Sequence, residues 1–156
     1  MLAVGDSVLI AASAALRAEI GRVRVDAQVG MQTYELRNLL DGLVEQGPLR
    51  PVVVVHTGSN GIIAPDDLRH ILDLLGDQEV VVVVNVSVPR TWEAPNDQLL
   101  REIVPKYDNT VLVDWKSETE RHPDDLGGDG VHPDASGAAA YAHLVKQAMT
   151  EGLKRR

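Results

Sequence analysis

Cysteine is absent from this 156-residue chain, and so is phenylalanine. The first absence excludes disulfides, a thiolate nucleophile and cysteine-ligated metals together. It leaves the redox compartment open, because a cysteine-free domain folds in reducing or oxidising surroundings. The second leaves two Trp and three Tyr as the only aromatics, so the core must be assembled from Val, Leu, Ile and Ala. Positive charge is scarce as well: 15 Lys and Arg face 23 Asp and Glu, a formal net charge of −8. That balance argues against nucleic acid or an anionic membrane surface as the main partner. The basic cluster Lys154-Arg155-Arg156 suits the last turn of a helix, where cations meet the negative end of the dipole. No apolar run reaches the roughly 18 residues of a membrane span. The Ala-rich stretch from Val8 to Leu16 has no basic residue before it and opens on Asp6, unlike a secretory signal. A soluble, single-domain chain over residues 1–156 is expected.

What the sequence has in abundance is valine in short blocks. Val52 to Val55, Val80 to Val84 continuing to Val88, and Val111 to Val113 are β-branched and nearly continuous, as buried parallel strands are. Leu2 to Val4 adds a short strand. Val23 to Val29 alternates apolar and polar residues, as expected of a sheet edge with one wet face. Helical spacing occupies the intervals: Val8–Ile20, Tyr34–Val44, Pro65–Leu75, Pro95–Val104 and Ala138–Met149. Alternation of this kind predicts an α/β domain, a three-layer sandwich around a mostly parallel five-stranded sheet. The longest irregular stretch, Lys116 to Pro133, is expected to be a functional loop.

In parallel α/β sheets, ligands gather at the carboxyl ends of the strands. Four such ends carry polar or glycine residues in apolar surroundings: Gly5-Asp6-Ser7, Gly30, Gly58-Ser59-Asn60-Gly61 and Asp129-Gly130-Val131-His132. Ser7 falls where a strand turns into a helix, exposing its hydroxyl near the free N–H groups of a helix start. A helix cap alone would also account for Asp6 or Ser7 there. Asp129 stands three residues before His132, close enough to hold an imidazole that accepts a serine proton. Gly30 allows close approach of its N–H, and Asn60 offers an amide, both suited to a developing oxyanion. Taken singly, each of these residues reads better as a turn or cap residue. Their order, with each at a strand end, is what points to acyl chemistry.

Gly-Asp-Ser, then Gly, then Gly-x-Asn, then Asp-x-x-His resembles the four blocks of the SGNH (GDSL-type) hydrolases, from Gly5 to the last helix. The resemblance implies a flavodoxin-like fold and a serine-dependent ester-handling enzyme without cofactor. It implies Ser7 as nucleophile, His132 as general base, Asp129 as its orienting acid, and Ser7, Gly30 and Asn60 as oxyanion donors. The α/β-hydrolase alternative lacks its Gly-x-Ser-x-Gly elbow, since Leu9 stands second after Ser7. A narrower likeness lies in Asp26 to Gly30, His56 to Gly61, Val88 to Glu93 with Asn96, and Val113 to Trp115. These segments are similar to SGNH domains fused to membrane acyltransferases, among them peptidoglycan O-acetyltransferases. The chain departs from that group at Met31-Gln32, where Arg-Gln is common.

That likeness implies an acyl donor, a carbohydrate acceptor and an extracytoplasmic, cell-surface setting. It also implies either an excised domain whose parent carries a membrane acyltransferase part, or a free-standing relative, which would sit in the bacterial cytoplasm. A monomer is expected. Substrate contacts are expected from Asp6, Met31, Ser59, Arg90, Trp92 and Val131. Trp92 can stack on a sugar or wall the acyl pocket; it can equally cover the core edge beneath Arg90. His56 reads as a hydrogen-bonded core residue, and His70, His122 and His143 lie away from the strand ends. No metal site is expected, since Asp124, Asp125, Asp129 and His132 lack tight ligand spacing. The narrower likeness favours the catalytic domain of a cell-surface glycan O-acetyltransferase with weak esterase activity. A free-standing esterase shares every catalytic residue and is the alternative, with a non-catalytic glycan-binding module and a nucleotide-binding domain as further rivals. The last wants a phosphate loop where Asp6 places a carboxylate.

Overall fold

The structure is a computed structural model describing residues 1–155; Arg156 of the basic tail lies outside them. Five strands form one wholly parallel sheet: β1 Leu2–Gly5, β2 Arg24–Ala27, β3 Val52–His56, β4 Val80–Val84 and β5 Thr110–Val113, in spatial order β2-β1-β3-β4-β5. Six helices join or follow them: α1 Ser7–Ile20, α2 Thr33–Glu45, α3 Pro65–Leu74, α4 Glu93–Ile103, α5 Trp115–Arg121 and α6 Ala135–Lys154.

The valine blocks become strands because both faces of the sheet are covered. Val53, Val55, Val81 and Val83 face a cluster with Leu36 and Leu40 of α2, Leu68 and Ile71 of α3 and Leu100 of α4. Val52, Val54, Val80, Val82 and Val84 face the other, with Leu9 and Leu16 of α1, Trp115 of α5 and Tyr141 and Val145 of α6. A strand buried on both faces reads as a continuous apolar run, whereas the edge strand β2 is only partly covered, as its alternation predicts.

Three expectations give way to the structure: Asp129-Gly130-Val131-His132 ends no strand but lies in the turn between Pro123–Asp125 and α6, and two elements change their extent. β4 stops at Val84 instead of running to Val88, because the Val86 N–H bonds to Asp97 Oδ1 (2.9 Å) and the Val88 N–H to Glu93 Oε2 (2.6 Å). Two carboxylates on α4 thus take donors that a ladder would otherwise use. The expected loop from Lys116 to Pro133 is in large part helix α5 followed by a 3-10 turn at Pro123–Asp125. α5 is polar on most of its surface and buries only Trp115 and Thr119, so hydrophobic periodicity could not announce it. Asp114 caps it, accepting from the Ser117 N–H (3.1 Å).

Strand order reverses between β1 and β3: the chain leaves β1 towards β2, then crosses back to build the other half of the sheet. A crevice opens at such a switch point, beyond the carboxyl ends of the two strands. Here those ends are Gly5 and His56, which are register partners. A Cβ on Gly5 would lie 2.5 Å from the His56 carbonyl oxygen and 3.1 Å from its Cβ. Only glycine permits this approach, since the obstacle is backbone and cannot rotate away. Gly5→Ala is expected to destabilise the fold by about 1–3 kcal/mol through overpacking. An unchanged urea midpoint would show that the two strands can spread without cost.

Candidate active site

Ser7 is the first residue of α1, and Asp6 is its N-cap. The Asp6 carboxylate accepts from the Val8 N–H (3.0 Å), so capping falls to Asp6 and the Ser7 hydroxyl is left free. As the opening residue of the helix, Ser7 also has a main-chain N–H without an intrahelical acceptor. Its Oγ lies 2.8 Å from His132 Nε2, across 125 residues of sequence.

His132 is set by its own turn. Its Nδ1 lies 2.6 Å from Asp129 Oδ2, while Asp129 Oδ1 accepts from the Val131 N–H (2.9 Å) and the His132 N–H (3.0 Å). With Nδ1 carrying the proton towards Asp129, Nε2 is left to accept from the serine hydroxyl. The His132 side-chain hydrogen bond, reinforced by the two N–H donors, holds the Asp129 carboxyl well below the usual carboxylate range. The turn itself is anchored at both ends: Leu126 and Pro133 form an antiparallel bridge, and the Gly127 N–H donates to the His132 carbonyl (2.8 Å). Asp134 then caps α6, accepting from Ser136 and Gly137 N–H groups.

Asn60 sits in the turn after β3. Its Nδ2 donates to the Met31 carbonyl (3.3 Å), which fixes the amide plane and leaves a second N–H unused by that bond. Gly30 lies in the neighbouring turn at φ +77°, a left-handed conformation that disfavours side chains, closed by the Met31 N–H on the Gln28 carbonyl (3.3 Å).

A cleft of about 360 Å³ brings Ser7, Asn60, Asp129 and His132 together, walled by Ser59, Val88, Arg90, Trp92 and Val131. Of the expected contact residues, Ser59, Arg90, Trp92 and Val131 therefore line it. Asp6 and Met31 do not: Asp6 is fully buried as the helix cap, and Met31 is buried with its carbonyl committed to Asn60. Arg90 is exposed, with Nη1 on its own Pro89 carbonyl (3.1 Å). Trp92 both lines the cleft and packs on the core, and its Nε1 points to the Ser59 carbonyl (3.4 Å).

Beneath the cleft lies a polar cluster that sequence reading saw only in part. His56 is 1% exposed; its Nδ1 meets the Tyr141 hydroxyl (3.0 Å) and its Nε2 the Ser59 hydroxyl (3.1 Å), with Asp6 Oδ1 3.9 Å away. Tyr141 reads in the sequence as one more apolar position of α6; its hydroxyl was the available signal, since a buried phenol needs a partner. Asn96, Glu93 and Asp97 on α4 were equally silent as hydrogen-bond partners of the loops.

The site places a serine, an imidazole and a carboxylate within hydrogen-bond reach of one another at the switch point of a parallel sheet. No family model matches the chain. It is 31% identical over 149 residues to YrhL of Bacillus subtilis, provisionally named a peptidoglycan O-acetyltransferase, covering 96% of this chain and 23% of that protein. It is 29% identical to the O-acetyltransferase OatA of Staphylococcus aureus, covering 95% of this chain and 24% of that one. The chain thus spans about a quarter of the length of these curated relatives. Among solved structures, the C-terminal catalytic domain of the peptidoglycan O-acetyltransferase OatA from Streptococcus pneumoniae superposes with a TM-score of 0.85 at 24% identity, over 98% of this chain and 93% of that one. The chain is homologous to peptidoglycan O-acetyltransferases and has the fold of the SGNH hydrolases.

The buried histidine makes stability depend on pH. Burial lowers the pKa of His56, against the opposing pull of Asp6. The unfolded chain, with an ordinary value of about 6.5, then takes up the proton before the folded one does as pH falls. The contribution of His56 is complete above about pH 6.5 and is lost progressively below it. Urea midpoints measured from pH 8 to pH 5 are expected to fall more steeply for the native protein than for His56→Gln. Parallel slopes would assign the acid sensitivity to other groups.

Proposed function

We propose that this chain is an acyl-transfer domain that moves an acyl group, most simply acetyl, from a donor ester to a hydroxyl of a cell-surface glycan of the peptidoglycan type. The observation that carries the reading is the continuous line Ser7 Oγ, His132 imidazole and Asp129 carboxylate, with separations of 2.8 and 2.6 Å, opening into the cleft. His132 takes the Ser7 proton as Oγ attacks the donor's carbonyl carbon. The tetrahedral oxyanion is held by the N–H groups of Ser7 and Gly30 and by the Asn60 amide. Collapse expels the donor alcohol, which receives the proton from His132, and leaves an acyl-serine. An acceptor hydroxyl, deprotonated in turn by His132, attacks that ester and regenerates Ser7.

Asp129, ionised throughout, keeps the imidazole in the required tautomer and stabilises its protonated form. No cofactor enters the sequence of steps. The relatives' names support acetyl as the group and glycan as the acceptor. A peptidoglycan acceptor would place the domain outside the cytoplasmic membrane, and the resemblance of its motif segments to SGNH domains fused to membrane acyltransferases supports such a part in a larger parent as partner. Among the described residues no helix is long and apolar enough to cross a membrane.

Water in place of the sugar makes the same site an esterase, and the half-open cleft admits both. The test is acetate release from an aryl acetate, followed by acetyl transfer to chitooligosaccharides. Ser7→Ala is expected to lower kcat for aryl acetate by about 10³-fold or more. Equal rates for the two proteins would reduce Ser7 to a helix residue and favour a glycan-binding module. Acetate release that is undiminished by added sugar, with no acetylated sugar formed, would make the domain a hydrolase.

A further inference from the structure

The oxyanion hole assigned above depends on a turn with little restraint of its own. Gly58-Ser59-Asn60-Gly61 has glycine at both ends, and Gly58 lies at φ +98°. Backbone of this kind wanders unless its polar groups are tied from outside. Side chains of the turn reach His56 and Met31, but the ties on its main-chain carbonyls come from one helix and its N-cap. Asn96 of α4 is 1% exposed, and its amide is fully engaged by the turn and its exit: Nδ2 donates to the Gly58 carbonyl (3.0 Å) and to the Gly61 carbonyl (2.8 Å), while Oδ1 accepts from the Ile63 N–H (2.8 Å). Trp92, at the head of the same helix, directs Nε1 at the Ser59 carbonyl (3.4 Å). Three carbonyls flanking and within the turn thus point to α4, and the Asn60 side chain is left to face Met31 and the cleft.

We propose that Asn96 is a positioning residue for the oxyanion hole, acting through the Gly58–Gly61 turn on the aim of the Asn60 amide. Its geometry suits that task because a single rigid amide bridges both ends of the turn, so the ends cannot move apart or twist independently. An oxyanion donor is worth most when it is already aimed at the place where charge develops, and a small displacement forfeits much of that value. Asn96 does not touch the cleft, so its effect belongs in the rate of the chemical step and not in ground-state binding.

The experiment is a double-mutant cycle between Asn60 and Asn96, read as kcat and KM for an aryl acetate, and it rests on the acyl-transfer reading above. Asn60→Ala is expected to lower kcat by about 10²-fold, as loss of one oxyanion donor does. Asn96→Ala is expected to lower kcat by about tenfold, with KM changed by less than about threefold. In the Asn60→Ala background the same change is expected to cost less than about twofold, because the group it positions is already gone. Asn85→Ala serves as the control for burial. Asn85 is an equally buried amide at the end of β4, tied to Asp114 (2.8 Å) and the Lys116 N–H (2.9 Å) on the far side of the sheet end. It is expected to lower Tm while leaving kcat within about twofold of the native protein.

Should Asn96→Ala fail to fold, Asn96→Ser is carried through the same cycle. An equal loss from Asn96→Ala in both backgrounds, or an equal loss of kcat in Asn85→Ala, overturns the proposal in favour of a general packing role. Full kcat in Asn60→Ala removes the oxyanion assignment itself, and the positioning role with it.

Discussion

The close approach of β1 to β3 at Gly5 and His56 is the constraint on which the rest of the site depends. Because Gly5 has no side chain, the strand that leads to Ser7 runs against the strand that leads to Asn60. The same contact brings the His56 imidazole beneath the cleft, where it joins Ser59 of one loop to Tyr141 of α6. One buried ring therefore bridges the Gly58–Gly61 turn and the helix that follows the His132 turn, beside the Asp6 cap of α1. Its two nitrogens meet hydroxyls that can each donate or accept, so either neutral tautomer can be accommodated without an orphaned group. A cluster of this sort is costly if half satisfied and rigid if complete.

Two carboxylates near the proposed nucleophile do separate work because their surroundings differ. Asp6 is buried and spends one oxygen on the first turn of α1; the other has no hydrogen-bond partner among the described residues, beside a histidine whose pKa burial lowers. Asp129 is half exposed and collects three hydrogen bonds, one from an imidazole and two from main-chain N–H groups. Those bonds hold its carboxyl well below the usual carboxylate range, which favours the ionised form facing the imidazole. Asp6, by capping, frees Ser7 from the task that serines at helix starts commonly perform.

The polar face of α4 explains how a cleft built from loops stays in shape. Glu93, Asn96 and Asp97 fall at i, i+3 and i+4, a single stripe, and each bonds to main-chain groups of the two loops that wall the cleft. Lys116 reaches Glu93 from α5 and is held charged by it, which links the stripe to the next helix. Burial pushes the Asp97 carboxyl up, against the pull of the Val86 N–H that it accepts.

The order and type of the five strands, both faces of the core and the candidate residues Ser7, Asn60, Asp129 and His132 were legible in the sequence. Valine blocks, helix periodicity and turn glycines are local signals, and they survive folding because burial rewards them directly. Other features were not legible. β4 ends early because carboxylates 11 and five residues ahead capture its next donors. α5 forms from a polar segment because Asp114 caps it and Trp115 is buried against Tyr141. The sequence alone also left open whether Asp6 caps α1 or lines the cleft, and what Trp92 and Asn96 face. The Asp6 cap turns on Val8, two residues on, but Trp92 and Asn96 turn on Ser59 and Gly58, 33 and 38 residues away, and His132 on Ser7, 125 residues away. Sequence by itself determined which residues were equipped for acyl chemistry; the crossing of the chain at the β1–β3 switch point decided which of them meet, because hydrogen bonds of 3 Å require a geometry that no local pattern encodes.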